Sequence, residues 1–215
     1  MKIILMDLDG TITNPKTGIT KSIQYALKAE NIIIEDLDTL CRYIGPPLKT
    51  TFKESYGFDE GKANRALAKY REYYQEAGMY ENEVYKGMED LLSKLKATGK
   101  KIIVATSKPE IFAKGILEHF GLEQYFDDIC GSNLDATRAE KEEVIRYAMD
   151  KNGITDCSSV IMVGDRSYDI IGAKSVGLGS VGVLYGFGSR EELEEAGADR
   201  ISETVSDLYE VVMDL

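Results

Sequence analysis

Asp7-Leu8-Asp9-Gly10-Thr11 puts two carboxylates two residues apart, directly behind the apolar run Ile3-Ile4-Leu5-Met6. On a strand, residues i and i+2 share one face about 6 to 7 Å apart. Gly10 lets the chain turn sharply there and bring backbone N–H groups to a ligand. An N-cap or Asx turn ending a strand accounts for one Asp, but not for two followed by Gly-Thr. The pair suits a two-step displacement. A carboxylate nucleophile attacking phosphorus forms an aspartyl-phosphate and splits one difficult step into two easier ones, and Asp7 is the expected nucleophile. Asp9 can protonate the leaving oxygen and then deprotonate the attacking water, a role worth roughly 10² to 10⁴ in rate.

The other strand ends carry matching groups. Thr106-Ser107-Lys108 follows Ile102-Ile103-Val104-Ala105; Gly164-Asp165 follows Val160 to Val163, with Asp169 four residues on. Lys141 stands near the start of the helical stretch that follows Asp135-Ala136-Thr137-Arg138. Each has a plainer reading when taken alone: Ser107 as a helix N-cap before Pro109, Lys141 on a solvated helix face, Asp165 and Asp169 as acids sharing one helix face. Together they set four carboxylates against two lysines, Lys108 and Lys141, and an empty site of that charge repels itself. A divalent cation resolves the imbalance. Oxygen ligands without His or Cys suit Mg²⁺, which takes few carboxylates and keeps room for phosphate. The Thr106 hydroxyl, backbone N–H groups near Leu8 and Ser107 and a lysine point charge can hold phosphate oxygens. Gly10, Thr11, Ser107 and Lys108 are therefore substrate-binding candidates.

Four elements must position these groups. Lys2 to Asp7, Lys101 to Thr106, Val160 to Gly164 and Ser180 to Leu184 read as buried strands of a parallel sheet. Helical spacing runs over Met88 to Thr98, Glu110 to Phe120 and Arg138 to Lys151, each stopped by a Gly. This alternation predicts a doubly wound α/β sheet, in which ligands bind beyond the carboxyl ends of the strands. Residues 14–85 break the alternation. They carry no strong β run, are rich in tyrosine (Tyr70, Tyr73, Tyr74, Tyr80, Tyr85), and read as helices at Thr20 to Ala29, Glu35 to Tyr43, Leu48 to Tyr56 and Gly61 to Tyr74. A helical cap is predicted there, inserted into a core of residues 1–13 and 86–215, with connections at Thr13 to Gly18 and Glu81 to Gly87. The tail reads as a helix at Ser189 to Ala196, a short apolar Ile201 and a helix at Val205 to Met213. Arg42, Lys49 and Arg71 are the cap's candidates for an anionic handle on the substrate.

Composition narrows the classes. The chain has 215 residues, 43% of them hydrophobic, and a formal charge of −11. That field repels nucleic acid and anionic membranes unless a basic cluster overrides it, and no run of Lys and Arg does. The longest apolar runs fall far short of the roughly 20 residues that cross a bilayer, and the apolar start before Asp7 is shorter than the about 7 to 15 residues of a secretory h-region. A cytoplasmic protein is expected. Cys41, Cys130 and Cys157 stand in no CxxC arrangement and the lone histidine, His119, has no ligand partner at metal spacing, so neither a disulfide framework, a zinc site nor a Ser-His-Asp triad is expected.

These motifs resemble the haloacid dehalogenase superfamily: DxDGT as Asp7 to Thr11, the Thr or Ser as Thr106, the Lys as Lys141, and GDxxxD as Gly164-Asp165-Arg166-Ser167-Tyr168-Asp169. The resemblance implies a Rossmann-like core with an inserted cap, Asp7 as the phosphorylated nucleophile, Asp9 as acid/base, and Mg²⁺ held by Asp7, the Asp9 carbonyl and Asp165, with Asp169 behind them. An acid at position 9 implies phosphomonoester transfer, since dehalogenases and phosphonatases lack it and P-type ATPases carry Thr. Tyr43 to Leu48 and Ala105 to Pro109 resemble the phosphoglycolate phosphatase-like group and its 5′-nucleotidase-like branch, from which Tyr85-Lys86-Gly87 departs where Tyr-Pro-Gly is usual. The expected partner is a small phosphorylated metabolite, the protein a monomer or homodimer. A phosphomutase of the β-phosphoglucomutase type uses the same nucleophile. A signalling receiver shares the residue types, but places its acidic pair and its acceptor on different strands and has no cap.

Overall fold

The computed structural model describes residues 3–135 and 137–215, so the expected strand start at Lys2 and Ala136 of the turn before Lys141 lie outside the described residues. The chain forms two compact units, Met1–Asn14 with Val84–Leu215, and Pro15–Glu83.

In chain order the strands are β1 (Ile3–Met6), β2 (Thr13–Asn14), β3 (Glu83–Val84), β4 (Lys101–Pro109), β5 (Asp128–Ser132), β6 (Val160–Gly164), β7 (Gly179–Val183) and β8 (Arg200–Ser202). The helices are α1 (Lys16–Ala29), α2 (Leu48–Tyr56), α3 (Glu60–Tyr73), α4 (Met88–Ala97), α5 (Glu110–His119), α6 (Lys141–Lys151), α7 (Ser167–Val176), α8 (Arg190–Glu195) and α9 (Val205–Met213). The larger unit is a six-stranded sheet ordered β5-β4-β1-β6-β7-β8, parallel at every pairing. β2 and β3 pair as a separate two-stranded ribbon.

Parallel strands flanked by crossover helices are buried on both faces, which is why β1, β6 and residues 102–105 of β4 are apolar throughout. Leu5, Ile103, Ala105 and Met162 pack in one cluster with Val144, Ile145, Ala148 and Met149 of α6 and Ala173 of α7. Their alternating neighbours Ile4, Met6, Ile102, Val104, Ile161 and Val163 are also buried; pointing to the opposite face, they need cover there too. β1 lies at the centre with β4 and β6 as neighbours. The strand order reverses around it, and the crevice beyond its carboxyl end is the place where such sheets bind ligands.

The smaller unit holds α1, a 3₁₀ turn over Leu37–Tyr43, α2, α3 and a π turn over Tyr74–Gly78. Ile19, Ile23, Leu27, Leu40, Phe52, Ala63, Ala66 and Tyr74 are buried within it, and the rings of Tyr70 and Tyr74 stack at 5.4 Å. No helix among the described residues is long and apolar enough to cross a membrane.

Several expected boundaries shift. The segment Thr13 to Gly18, expected as a connection, is β2 and the first turn of α1, with Pro15 at the cap, where a missing N–H costs nothing. The expected helix from Glu35 is the tighter 3₁₀ turn, opened by the Asp36 carboxylate accepting from the Asp38 amide. The helix expected from Arg138 begins at Lys141, because Arg138 sits at φ 53° and its Nε donates to the Gly131 carbonyl. Strands β5 and β8 carry no strong apolar run. Both lie at sheet edges, where polar residues such as Asp128 and Arg200 are tolerated.

Candidate active site

The first strand delivers its acids through a tight backbone loop. The Asp7 amide still donates to the Val163 carbonyl of β6 (2.9 Å), whereas the Leu8 carbonyl accepts from the amides of Ile12 (2.9 Å) and Thr13 (3.0 Å) and folds the chain back. Gly10 takes φ 86° in that loop, and a side chain there would run into the Asp165 carboxylate. Asp7 and Thr11 are buried.

Carboxylates from β1 and from the β6–α7 junction meet. Asp7, Asp165 and Asp169 present oxygens within 4.8 Å of one another. Asp165 and Asp169 are fully buried, Asp169 in the first turn of α7, where its Oδ2 accepts from the Arg166 amide at 3.1 Å. Lys141, the first residue of α6, sets its ammonium 2.7 Å from Oδ1 of both Asp7 and Asp169 and donates to the Ala105 carbonyl at 3.1 Å. Lys108 lies 2.8 Å from Asp9 Oδ2, and its amide donates to the Thr106 hydroxyl at 3.2 Å. Thr106 and Lys108 are both buried. The bulge between Thr106 and Pro109 leaves Ser107 half-buried in β4. Pro109, not Ser107, stands at the cap of α5, with no side-chain cap bond.

Burial and like charge dominate the electrostatics. Burial pushes the Asp9 carboxyl above its ordinary value, against the Lys108 ammonium, which pulls it down. Asp165 is held well above the usual carboxylate range by burial first, then by the charges of Asp169 and Asp7. Burial also lifts Asp169, to about 6, in spite of Lys141. Burial alone would lower Lys141, but the Asp169 and Asp7 charges outweigh it and hold the ammonium above an ordinary lysine.

With all of them ionised, four carboxylates against two ammonium groups would leave two negative charges uncompensated. Asp165 Oδ1 is buried with no hydrogen-bond partner and takes part in no ion pair among the described residues. An orphaned carboxylate oxygen beside two further acids, with no nitrogen or sulfur ligand in the cluster, is the donor set of a hard divalent cation. The Asp9 carboxylate stands outside that cluster, turned to Lys108, so of the four acids expected to bind metal only three converge through their side chains.

The cap candidates lie in the smaller unit. Arg42 is exposed, with its guanidinium 4.8 Å from the Tyr43 ring centre. Lys49 is ion-paired with Glu60, and Arg71 is half-buried on α3. His119 is exposed at the end of α5, and all three cysteines are free thiols.

One part of the site was missing from the sequence reading. After β7, the loop Tyr185-Gly186-Phe187-Gly188 lies against the others: the Tyr185 hydroxyl donates to the Thr11 carbonyl at 3.1 Å and the Phe187 amide donates to Asp165 Oδ2 at 2.8 Å. Tyr85 meets the Tyr185 ring edge-on at 4.9 Å. The signal was available, since this loop too follows the carboxyl end of a strand, but it works through backbone groups and bears no charge.

The chain is similar to several known proteins along most of its length. The 5′-nucleotidase of Pseudomonas aeruginosa is 47% identical over 190 residues, covering 88% of this chain and 86% of that protein. The tyrosine-protein kinase PtkA of Mycobacterium tuberculosis is 32% identical over 213 residues, 98% of this chain and 72% of that protein. A crystal structure of a predicted phosphatase from Clostridium acetobutylicum shares 51% identity and superposes with a TM-score of 0.97, over 100% of this chain and 99% of that one. Residues 4–183 match the haloacid dehalogenase-like hydrolase model. As that match runs from β1 to the end of β7, through every strand end that supplies an acid or a lysine, the chain belongs to the haloacid dehalogenase-like hydrolase family.

Proposed function

We propose that this phosphatase hydrolyses a small phosphomonoester through an aspartyl-phosphate on Asp7, with a nucleoside 5′-monophosphate as the first substrate to try. The observation that carries the reading is the division of labour between two acids two residues apart: Asp7 faces Lys141 and the acidic cluster, while Asp9 is turned away to Lys108 with its carboxyl more easily protonated than usual. A nucleophile has to stay ionised and a general acid has to carry a proton.

Asp7 attacks phosphorus, the bond from phosphorus to the ester oxygen breaks, and Asp9 gives its proton to that oxygen. Water then attacks the phosphorus of the acyl phosphate and passes a proton to Asp9, and the bond to Asp7 breaks to release inorganic phosphate. Thr106, Ser107 and the loop amides after Asp7 hold the phosphoryl oxygens, and Lys141 opposes the negative charge that gathers on them. The residues suited to Mg²⁺ are Asp7 and Asp165, with the Asp9 carbonyl and with Asp169 behind them. Bound there, Mg²⁺ supplies the positive charge that lets an anionic nucleophile meet an anionic ester.

The nucleoside reading rests on the 47% identity to a protein named 5′-nucleotidase. Release of inorganic phosphate from a panel of nucleoside 5′-monophosphates, phosphoglycolate, sugar phosphates and phosphotyrosine, with and without Mg²⁺, tests it. The expected result is hydrolysis that stops with chelator and with Asp7→Asn, highest on a nucleotide. Isomerised sugar phosphate without net phosphate release would establish a mutase instead, and net transfer from ATP to tyrosine would establish a kinase.

A further inference from the structure

Three glycines from two loops of the larger unit close on Asp165. A Cβ on Gly10 would stand 2.2 Å from Asp165 Oδ2; one on Gly186 would stand 2.3 Å from Asp165 Cβ and 2.4 Å from the Gly10 carbonyl; one on Gly188 would stand 2.0 Å from the Asp165 carbonyl oxygen. Contacts under 3 Å with backbone atoms leave no cheap adjustment, so the loop after β7 can lie this close only with hydrogen in place of a side chain. It is tied down at two points: the Tyr185 hydroxyl holds the Thr11 carbonyl of the β1 loop, and the Phe187 amide holds Asp165 Oδ2. The second carboxylate oxygen, Oδ1, is buried and bonded to nothing among the described residues.

We propose that the Tyr185–Gly188 loop is a positioning clasp that fixes the rotation of the Asp165 carboxylate, engaging Oδ2 so that Oδ1 alone is presented to a divalent cation. The inference rests on the reading of Asp165 as a metal ligand. Partners behind a ligating carboxylate set its orientation, and their loss commonly costs about 10- to 100-fold in metal affinity. Tyr185 and Phe187 touch neither substrate nor reacting atoms in this account. They act through Asp165, and the loop links that residue to the strand that carries Asp7.

The test is Mg²⁺ binding by titration calorimetry on the full chain, with thermal unfolding of the metal-free protein alongside. Asp165→Asn is expected to abolish the binding. Tyr185→Phe keeps the ring and removes only the hydroxyl; it is expected to bind Mg²⁺ about 10-fold more weakly, with the metal-free melting temperature nearly unchanged and kcat recovered at high Mg²⁺. Gly186→Ala is expected to lose about 100-fold. If Gly186→Ala fails to fold, Tyr185→Phe decides the matter. Wild-type affinity in Tyr185→Phe overturns the clasp and leaves the metal reading standing. Absence of Mg²⁺ binding by the unaltered chain, or full binding by Asp165→Asn, overturns the metal reading and the clasp with it.

Discussion

Lys108 Nζ lies 2.8 Å from Asp9 Oδ2, with the lysine side chain only 5% and the aspartate side chain 12% exposed. A pair this shielded from water couples strongly, so the lysine acts directly on how readily Asp9 takes a proton. Burial raises the Asp9 pKa and Lys108 opposes that rise. Removing the ammonium takes away the opposing influence, and the carboxyl becomes harder still to ionise.

Lys108→Met is therefore expected to move the alkaline limb of the pH profile of kcat to higher pH, because Asp9, in its proposed role of general acid, then keeps its proton to higher pH. The same change removes the ammonium proposed as a partner for a phosphate oxygen, a charge-assisted contact worth about 1.5 to 3 kcal/mol, so kcat/KM should fall about 10- to 100-fold. Lys108→Arg should keep the limb near its original place. A limb that stays put or moves down in Lys108→Met would separate Asp9 from the proton-transfer role.

Lys141 bridges Asp7 and Asp169 from a side chain that is 4% exposed. Breaking a buried ion pair by deleting one partner leaves an uncompensated charge behind and costs about 3 to 5 kcal/mol. Lys141→Met should lose stability of that order in denaturant unfolding of the metal-free protein at pH 7.5. Adding Asp169→Asn should give part of it back, since one of the two stranded charges is then gone. A double variant less stable than Lys141→Met alone would contradict this.

The site was legible in the sequence wherever it consists of charged side chains at strand ends. β1, β6 and residues 102–105 of β4 are apolar on both faces because helices cover both, and an acid or lysine placed where such a run stops has no packing reason to be there. Asp7, Asp9, Lys108 and Asp165 stand out on that ground. What escaped notice works by other means. The clasp after β7 acts through an amide, a hydroxyl and the absence of side chains. β5 escaped because it is an edge strand whose Asp128 is satisfied by Lys151 and Asn152. The late start of α6 follows from Arg138, whose guanidinium lies 3.6 Å from the Tyr147 ring centre and whose backbone is left-handed, a conformation nothing in the residue type foretells.

Mg²⁺ and protons should compete for the acidic cluster. Burial pushes Asp169 up to about 6 in the folded protein against 3.8 as its ordinary value, and holds Asp165 well above the usual carboxylate range too. The folded metal-free chain thus holds protons that the unfolded chain has released. The stability these groups supply is fully present below about pH 4 and is lost as pH rises through 6 and beyond. Because a cation binds the ionised carboxylates, added Mg²⁺ should raise the melting temperature little at pH 5 and substantially at pH 7.5. At 100 times the dissociation constant the gain is about 2.7 kcal/mol, on the order of 5 to 10 °C for a chain of this size. Equal shifts at the two pH values would contradict the linkage.

Gly172, on α7, gives the Lys141 stem its room. A Cβ at position 172 would stand 2.9 Å from Lys141 Cγ and 3.1 Å from the Glu142 amide nitrogen. The stem can yield by a few tenths of an ångström, whereas the backbone of α6 yields less readily, so Gly172→Ala should leave the chain folded and displace the ammonium from Asp7 and Asp169. With Lys141 in its proposed role of opposing charge that develops during the transfer, the loss should fall on kcat, by about 10-fold or more, since misplacements of about 1 Å can cost 10². KM should change little. Gly172→Val, with a branched Cβ, should deepen the kcat defect. A rise in KM at constant kcat would instead place Lys141 in ground-state binding of the phosphate.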